Sequence, residues 1–206
     1  MELGLKNKVV VVTGASKGIG FAIAEGFLQE GAYVAISGRN EQALTQAVDS
    51  LGEHYGADRI AGYALDGSVE REMLKLGELA AQKTGRIDVW VNNIGTNRPR
   101  SGEIYTDAEL DYLIGILFKS AVFGSQTAYL HMKEHGGSIV NIASLAARSA
   151  TCGRSTIYGA LKSGIIGLTN TTAGEYAAYG IRVNAVMPGY TKTPLIASTF
   201  TKEAID

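Results

Sequence analysis

Short apolar runs alternate with helical patterns along the chain, and that alternation is the strongest constraint on its fold. Val9 to Val12 is an all-valine run that stops at Thr13-Gly14. Such a run predicts a strand buried on both faces. A helical pattern follows from about Gly18 to Gly31, with Phe21, Ile23, Ala24, Phe27 and Leu28 on its apolar side. The same two signals then recur. Further strands are expected over Val34 to Ile36, Ile60 to Leu65, Ile87 to Val91, Ser138 to Ile142 and Arg182 to Val186. Further helices are expected over Glu41 to Tyr55, Val69 to Thr84, Asp107 to Glu134 and Thr156 to Tyr179. No repeat, low-complexity tract or linker breaks the series. Alternation of this kind builds right-handed βαβ units. The expectation is an α/β fold, a doubly wound parallel sheet of six strands, with residues 1–206 as one domain. In such sheets ligands bind beyond the carboxyl ends of the strands. Gly14, Asn92, Ser144 and Pro188-Gly189 all fall just past strand ends, far apart in sequence but on one expected rim.

Composition removes several function classes. Lys plus Arg is 19 and Asp plus Glu is 20, so nothing draws the chain to nucleic acid or to an anionic membrane. No unbroken apolar run approaches the roughly 18–20 residues of a membrane span. The opening Met1-Glu2-Leu3-Gly4-Leu5-Lys6 lacks a signal-peptide layout. Cys152 is the only cysteine, which excludes an intrachain disulfide. Asn170-Thr171-Thr172 fits a glycosylation sequon, but nothing else points to secretion, and a cytoplasmic protein is expected. There are 26 Gly against 3 Pro, without the Gly-x-y period of collagen.

The glycines gather where backbone would meet a ligand. Thr13-Gly14-Ala15-Ser16-Lys17-Gly18-Ile19-Gly20 joins the first strand to the first helix. Gly14, Gly18 and Gly20 permit a tight turn and close approach to a pyrophosphate, which the free N–H groups of the helix start attract. The loop lacks the Gly-Lys-Ser/Thr ending of a Walker motif. The second strand ends at Ser37-Gly38-Arg39. An NAD site usually places an acid about here for the ribose 2′-hydroxyl. This chain has Gly38 and the cation Arg39 there, with Lys17 in the glycine loop, a set that suits a 2′-phosphate and favours NADPH. Tyr158 and Lys162 stand four apart on one helix face. A free phenol is a poor base at neutral pH, and a neighbouring ammonium favours its phenolate form. Such a group can exchange a proton with an alcohol or carbonyl oxygen, to which Ser144, fourteen residues earlier, would donate a hydrogen bond.

Together these residues resemble the short-chain dehydrogenase/reductase family from about Lys6 to Leu195. Thr13 to Gly20, including Ser16 and Ile19, matches its cofactor loop. Asp66, after the third strand, matches the acid that holds the adenine. Asn92-Asn93-Ile94-Gly95 matches the family's Asn-Asn-Ala-Gly, with Ile in place of Ala. Ser144, Tyr158 and Lys162 match the catalytic Ser, Tyr and Lys. Pro188-Gly189, with Thr193 beyond, matches the segment that binds the nicotinamide amide. The resemblance implies a Rossmann fold and hydride exchange between NADPH and a carbonyl or secondary alcohol. Tyr158 would carry the proton, Ser144 would orient the oxygen, and Lys162 would hold the nicotinamide ribose. The nearest likeness is to 3-oxoacyl-carrier-protein reductases. Sugar acids, polyols and steroids are alternative substrates, and a homotetramer or dimer is implied.

Four features depart from the pattern or stand outside it. The family's catalytic Asn in the long helix is replaced, on this register, by Phe118, and no Asn occurs between Asn97 and Asn141. Loss of the proton relay it supports would leave, at the extreme, a nucleotide-binding scaffold or regulatory protein with little turnover. Ile94 is expected to narrow the nicotinamide pocket. His131-x2-Glu134-His135 fits a zinc-peptidase signature. It falls at the helix end away from the rim, where His and Lys suit the dipole, so no metal is expected. Finally, relatives continue into a helical lid and a seventh strand, whereas this chain stops at Asp206 with the lid barely begun at Ile196 to Ile205. The usual seventh strand is therefore expected to be missing, through natural shortness or truncation. Asn97, Arg98, Arg100, Arg148, Thr151, Arg154 and Ser155 flank the mouth. They read equally as contacts for an anionic or carrier-bound ketone and as solvated rim charges.

Overall fold

The computed structural model describes residues 3–96, 105–149 and 156–193. Their order is β1 (Val9–Val12), α1 (Gly18–Gln29), β2 (Tyr33–Gly38), α2 (Glu41–Tyr55), β3 (Ile60–Ala64), α3 (Glu70–Ala81) and β4 (Val89–Asn92). Then follow α4 (Asp107–Ile114), α5 (Ser120–Met132), β5 (Gly137–Ile142), α6 (Thr156–Tyr176) and β6 (Ile181–Val186). All strand pairs are parallel, in the order β3-β2-β1-β4-β5-β6. This is the six-stranded doubly wound sheet expected from the alternation.

The valine run shows how the two layers form. Val10 and Val12 pack with Ala24 and Leu28 of α1 and with Leu44, Ala47 and Leu51 of α2. Val9 and Val11 face the other way, into Met73 and Leu76 of α3 and Ala128 and Met132 of α5. Side chains alternate along a strand, so a valine at every position is what a strand covered on both faces requires. Asp88, just before β4, accepts from the Val9 N–H at 2.9 Å, from Arg86 at 2.5 Å and from Lys8 at 3.3 Å. These bonds anchor the start of β1.

The expected long helix differs inside. Between α4 and α5 the residues Gly115–Lys119 form a π-helical turn, and α6 ends in a 3-10 turn, Ala177–Tyr179. A π turn holds one residue more than an α turn, so every later side chain is displaced around the axis. The whole run Asp107–Met132 is long and apolar enough to cross a bilayer by length and composition. It contains no unbroken apolar run because small polar residues are scattered through it. More than half of its apolar window is buried. Leu113, Ile116, Leu117, Ala121, Ala128 and Met132 are core residues.

A polar network lies beneath the ends of β4 and β5. The Trp90 indole N–H donates to Asn92 Oδ1 at 2.8 Å. Asn92 Nδ2 donates to Asn141 Oδ1 at 2.8 Å and to Ser125 Oγ at 3.1 Å. Asn141 Nδ2 donates to Thr169 Oγ1 at 2.9 Å. All five residues are buried. The approach is close enough that a Cβ on Gly124 of α5 would stand 2.0 Å from Asn92 Oδ1.

Candidate active site

The strand ends meet around one cavity of about 380 Å³. Its first wall is the loop from β1 to α1. Gly14 and Gly18 have φ of +63° and +64°, a left-handed backbone that glycine adopts without strain. A Cβ on Gly20 would stand 2.4 Å from Asn93 Nδ2 and 2.8 Å from Ala15 Cα, so the helix start packs too tightly for any side chain there. Asn93 Nδ2 holds the loop by donating to the Thr13 and Gly14 carbonyls at 3.0 and 2.9 Å. The α1 N-terminus has no side-chain cap and no acid in its first turn. Its N–H groups and dipole are thus available to an anion at the cavity.

The second wall follows β2 and β3. Ser37, Gly38, Arg39 and Asn40 line it, with Leu65, Asp66 and Gly67 opposite. The Ser37 hydroxyl is fully buried and has no hydrogen-bond partner among the described residues. Asn40 is spent as the α2 cap, accepting from the Ala43 N–H at 2.8 Å. Lys17 and Arg39 are exposed, and neither forms an ion pair among the described residues. Asp66 Oδ1 accepts from the Ser68 N–H and hydroxyl at 2.9 and 2.7 Å.

The third wall carries the reactive side chains. Ser144 follows β5 and caps a 3-10 turn, its Oγ accepting from the Ala146 N–H at 3.2 Å. That leaves the hydroxyl proton for an acceptor in the cavity. Helix α6 lies against this turn. The Ser163 hydroxyl donates to the Ala147 carbonyl at 2.8 Å, and a Cβ on Gly159 would meet the Ala146 carbonyl at 3.0 Å. Gly159, between Tyr158 and Lys162, is therefore what lets the helix approach. Lys162 is buried, and its Nζ donates to the Ile142 carbonyl at 2.7 Å. Ser144, Tyr158 and Lys162 all line the cavity. The β6 segment closes the site, its Pro188 carbonyl accepting from the Leu145 N–H at 3.1 Å.

The cavity thus gathers Gly14, Ser16, Lys17, Gly18, Ile19, Gly20, Arg39, Asp66 and Gly95 with the three reactive residues and Pro188, Gly189 and Thr193. Three expectations need correction. Asn92 does not line the cavity, because its side chain is held in the buried network behind it, while Asn93 reaches the wall. Phe118 also points elsewhere. It packs with Ala121, Ala143 and Ile165, close to Gly164 of α6. The residue of the π turn that lines the cavity is Ile116, a shift of two positions that regular helical counting cannot foresee. Ile94 does not crowd the Ser144–Tyr158–Lys162 end, since its side chain lies against Gly14, Gly67 and Met73. Ser37, Gly67 and Ile116 were missed as wall residues, because none has a sequence signal apart from its distance to a strand end.

The zinc-like residues do not converge. His131 packs on Gly77 of α3, and His135 Nδ1 is engaged with the Gly136 carbonyl at 2.8 Å. Arg148 is exposed beyond the 3-10 turn. Asn97, Arg98, Arg100, Thr151, Arg154 and Ser155 lie outside the described residues, as do Cys152 and 194–206.

Comparison with known proteins decides the family. The short chain dehydrogenase family model matches residues 8–204. The chain belongs to that family. A 3α-hydroxysteroid dehydrogenase from Mediterraneibacter gnavus is 32% identical over 202 residues, covering 96% of this chain and 79% of the relative. A 3-oxoacyl-acyl-carrier-protein reductase from Thermotoga maritima is 36% identical over 195 residues, covering 93% and 77%. The solved L-sorbose reductase from Gluconobacter frateurii, complexed with NADPH and L-sorbose, superposes with a TM-score of 0.89 at 32% identity. That match covers 94% of this chain and 73% of the reductase. The chain is therefore an oxidoreductase of a family that uses a nicotinamide cofactor on small molecules. The uncapped helix start, the turn kept close by Gly14, Gly18 and Gly20, and the buried Ser37 hydroxyl, unpartnered among the described residues, fit a dinucleotide of that kind.

Proposed function

We propose that this oxidoreductase is an NADPH-dependent carbonyl reductase, with residues 1–206 forming a single dinucleotide-binding catalytic domain. The observation that carries this reading is one cavity with Ser144, Tyr158 and Lys162 on one wall and the cations Lys17 and Arg39, without an ion-pair partner among the described residues, beside the glycine loop. Gly14, Ser16, Gly18, Ile19 and Gly20 would hold the pyrophosphate, Lys17 and Arg39 the 2′-phosphate, and Asp66 the base. Gly95, Pro188, Gly189 and Thr193 would hold the nicotinamide half. The bound cofactor supplies the hydride exchanged with the carbonyl carbon. Ser144 donates a hydrogen bond to the substrate oxygen and fixes its direction. Tyr158 gives that oxygen its proton, or takes it in the reverse direction. Lys162, tethered to the Ile142 carbonyl, would hold the nicotinamide ribose on the wall it shares with Tyr158.

A 3-oxoacyl thioester is the first substrate to try, with sugar ketones and oxosteroids beside it. NADPH and NADH oxidation against this panel tests the reading. Turnover of a ketone with NADPH preferred over NADH supports it. Tight NADPH binding with no oxidation against any carbonyl would overturn it in favour of a nucleotide-binding scaffold. We also propose that the protein works in the cytoplasm as a homo-oligomer. The exposed Leu130 on α5 and Tyr179 after α6 are apolar surface that an interface would cover. Light scattering tests this directly.

A further inference from the structure

We infer that Ser163 is a positioning residue of the active site. Together with Lys162 it clamps the segment that carries Ser144 against α6. The inference rests on the reading of Ser144 as the group that directs the substrate oxygen.

Two neighbouring residues of α6 donate to carbonyls on either side of Ser144. Lys162 Nζ donates to the Ile142 carbonyl, two residues before it, at 2.7 Å. Ser163 Oγ donates to the Ala147 carbonyl, three residues after it, at 2.8 Å. The first bond is buried and carries a charge, whereas the second is exposed and neutral. A helical serine commonly bonds the carbonyl four residues back. The Ser163 hydroxyl has that contact too, with Gly159 at 3.0 Å, and it has one proton to share. The bond that leaves the helix is the shorter of the two.

The segment between the two carbonyls has little slack. The Ser144 carbonyl accepts from the Ala147 N–H at 3.0 Å, and the Ser144 hydroxyl accepts from the Ala146 N–H at 3.2 Å. A displacement of Ala147 therefore passes directly to Ser144. Gly159 lets the Ala146 carbonyl lie close to α6, since a Cβ there would stand 3.0 Å from that oxygen. That fit sets how near the turn can come, and Ser163 keeps it from swinging away. Tyr158 stands on the same helix, so the clamp fixes the Ser144 hydroxyl relative to the Tyr158 phenol. Ser163 is not among the cavity-lining residues and acts through Ser144.

The test is a double-mutant cycle on the full chain, with Ser163→Ala, Ser144→Ala and both together. The readouts are kcat and KM for the best ketone of the panel, NADPH affinity, and melting. Ser163 is exposed and alanine favours a helix, so Ser163→Ala should keep the fold. It should lower kcat roughly three- to tenfold, the scale of one hydrogen bond, with NADPH affinity unchanged. In the Ser144→Ala background it should lower kcat no further. Ser163→Thr, which keeps the hydroxyl, should restore turnover. A wild-type kcat in Ser163→Ala would overturn the clamp, as would a Ser163→Thr enzyme as slow as Ser163→Ala. An equal loss in both backgrounds would also overturn it, since Ser163 would then act independently of Ser144. Wild-type turnover in Ser144→Ala, or no ketone reduced by the wild-type protein, would overturn the reading of the site and the inference with it.

Discussion

Lys162 Nζ donates to the carbonyl oxygen of Ile142 at 2.7 Å. This bond joins α6 to the last residue of β5, two residues ahead of Ser144. Lys162 as a whole is only 4% exposed, so its charge depends on protein partners, and the Ile142 carbonyl is one that fixes where it sits.

Lys162→Met removes the charge and leaves the Ile142 carbonyl without its donor. Turnover is expected to fall at least about a hundredfold, the usual scale for disturbing acid–base catalysis. Single-turnover rates at saturating NADPH check this. A rate within a few-fold of wild type would mean that Lys162 serves the fold alone.

Tyr158→Phe deletes one oxygen and keeps the ring. Turnover should drop by about 10²–10⁴-fold while NADPH affinity stays near wild type. Fluorescence titration and steady-state kinetics separate the two effects. An active Tyr158→Phe enzyme would sink the proton-transfer assignment.

Arg39→Ala should weaken NADPH by about tenfold or more and leave NADH little changed, because charge-assisted contacts to a phosphate carry about 1.5–3 kcal/mol. Dissociation constants for both cofactors give the answer. Equal losses refute a 2′-phosphate role.

Ile116→Asn places an amide where the π turn meets the cavity, whereas Phe118→Asn places one in the packing against α6. The first should raise turnover if the missing relay limits the rate. The second should lower the melting temperature with no gain in turnover. Kinetics and melting on both variants distinguish the positions. The opposite pattern would return the relay position to Phe118.

Asp88 gives a pH prediction. Burial opposes its ionisation, but the Val9 N–H and the Arg86 and Lys8 cations outweigh that and hold its carboxyl below the usual range. A carboxylate with a lowered folded pKa stabilises fully above its unfolded value of about 3.9. The contribution is lost as pH falls through the folded value. Asp88→Asn should melt lower than wild type at neutral pH, and the gap should shrink as pH drops below about 4. A gap independent of pH would remove the charge from the explanation.

Much of this was legible in the sequence, for identifiable reasons. The valine run and the alternation after it forced a sheet covered on both faces, and the strand ends then gathered Gly14, Ser144 and Pro188 onto one rim. Helix starts with a physical marker were accurate: Glu41 follows the Asn40 cap, and Asp107 follows Thr106, whose hydroxyl accepts from the Glu109 N–H. The errors came from side-chain direction. Asn92 and Asn93 are adjacent in a familiar motif, but successive strand residues point to opposite sides, so only one can reach the cavity. Phe118 was misplaced because nothing in Gly115–Lys119 announces a π turn. The contact of Ile94 with Gly67 spans two loops and has no local pattern at all.

The amides under the site have one more consequence. Asn92 and Asn141 are partners in the parallel ladder between β4 and β5. The rest of these strands is largely apolar, with residues such as Val89, Val91, Ile139 and Ile142. Apolar strands buried on both faces discriminate poorly between alignments displaced by two residues. The amide pair removes that ambiguity, because a slipped strand would bury two unsatisfied amides at about 1–3 kcal/mol each. Asn92, expected on the ligand-binding rim, instead tells the two strands where to stop sliding past each other.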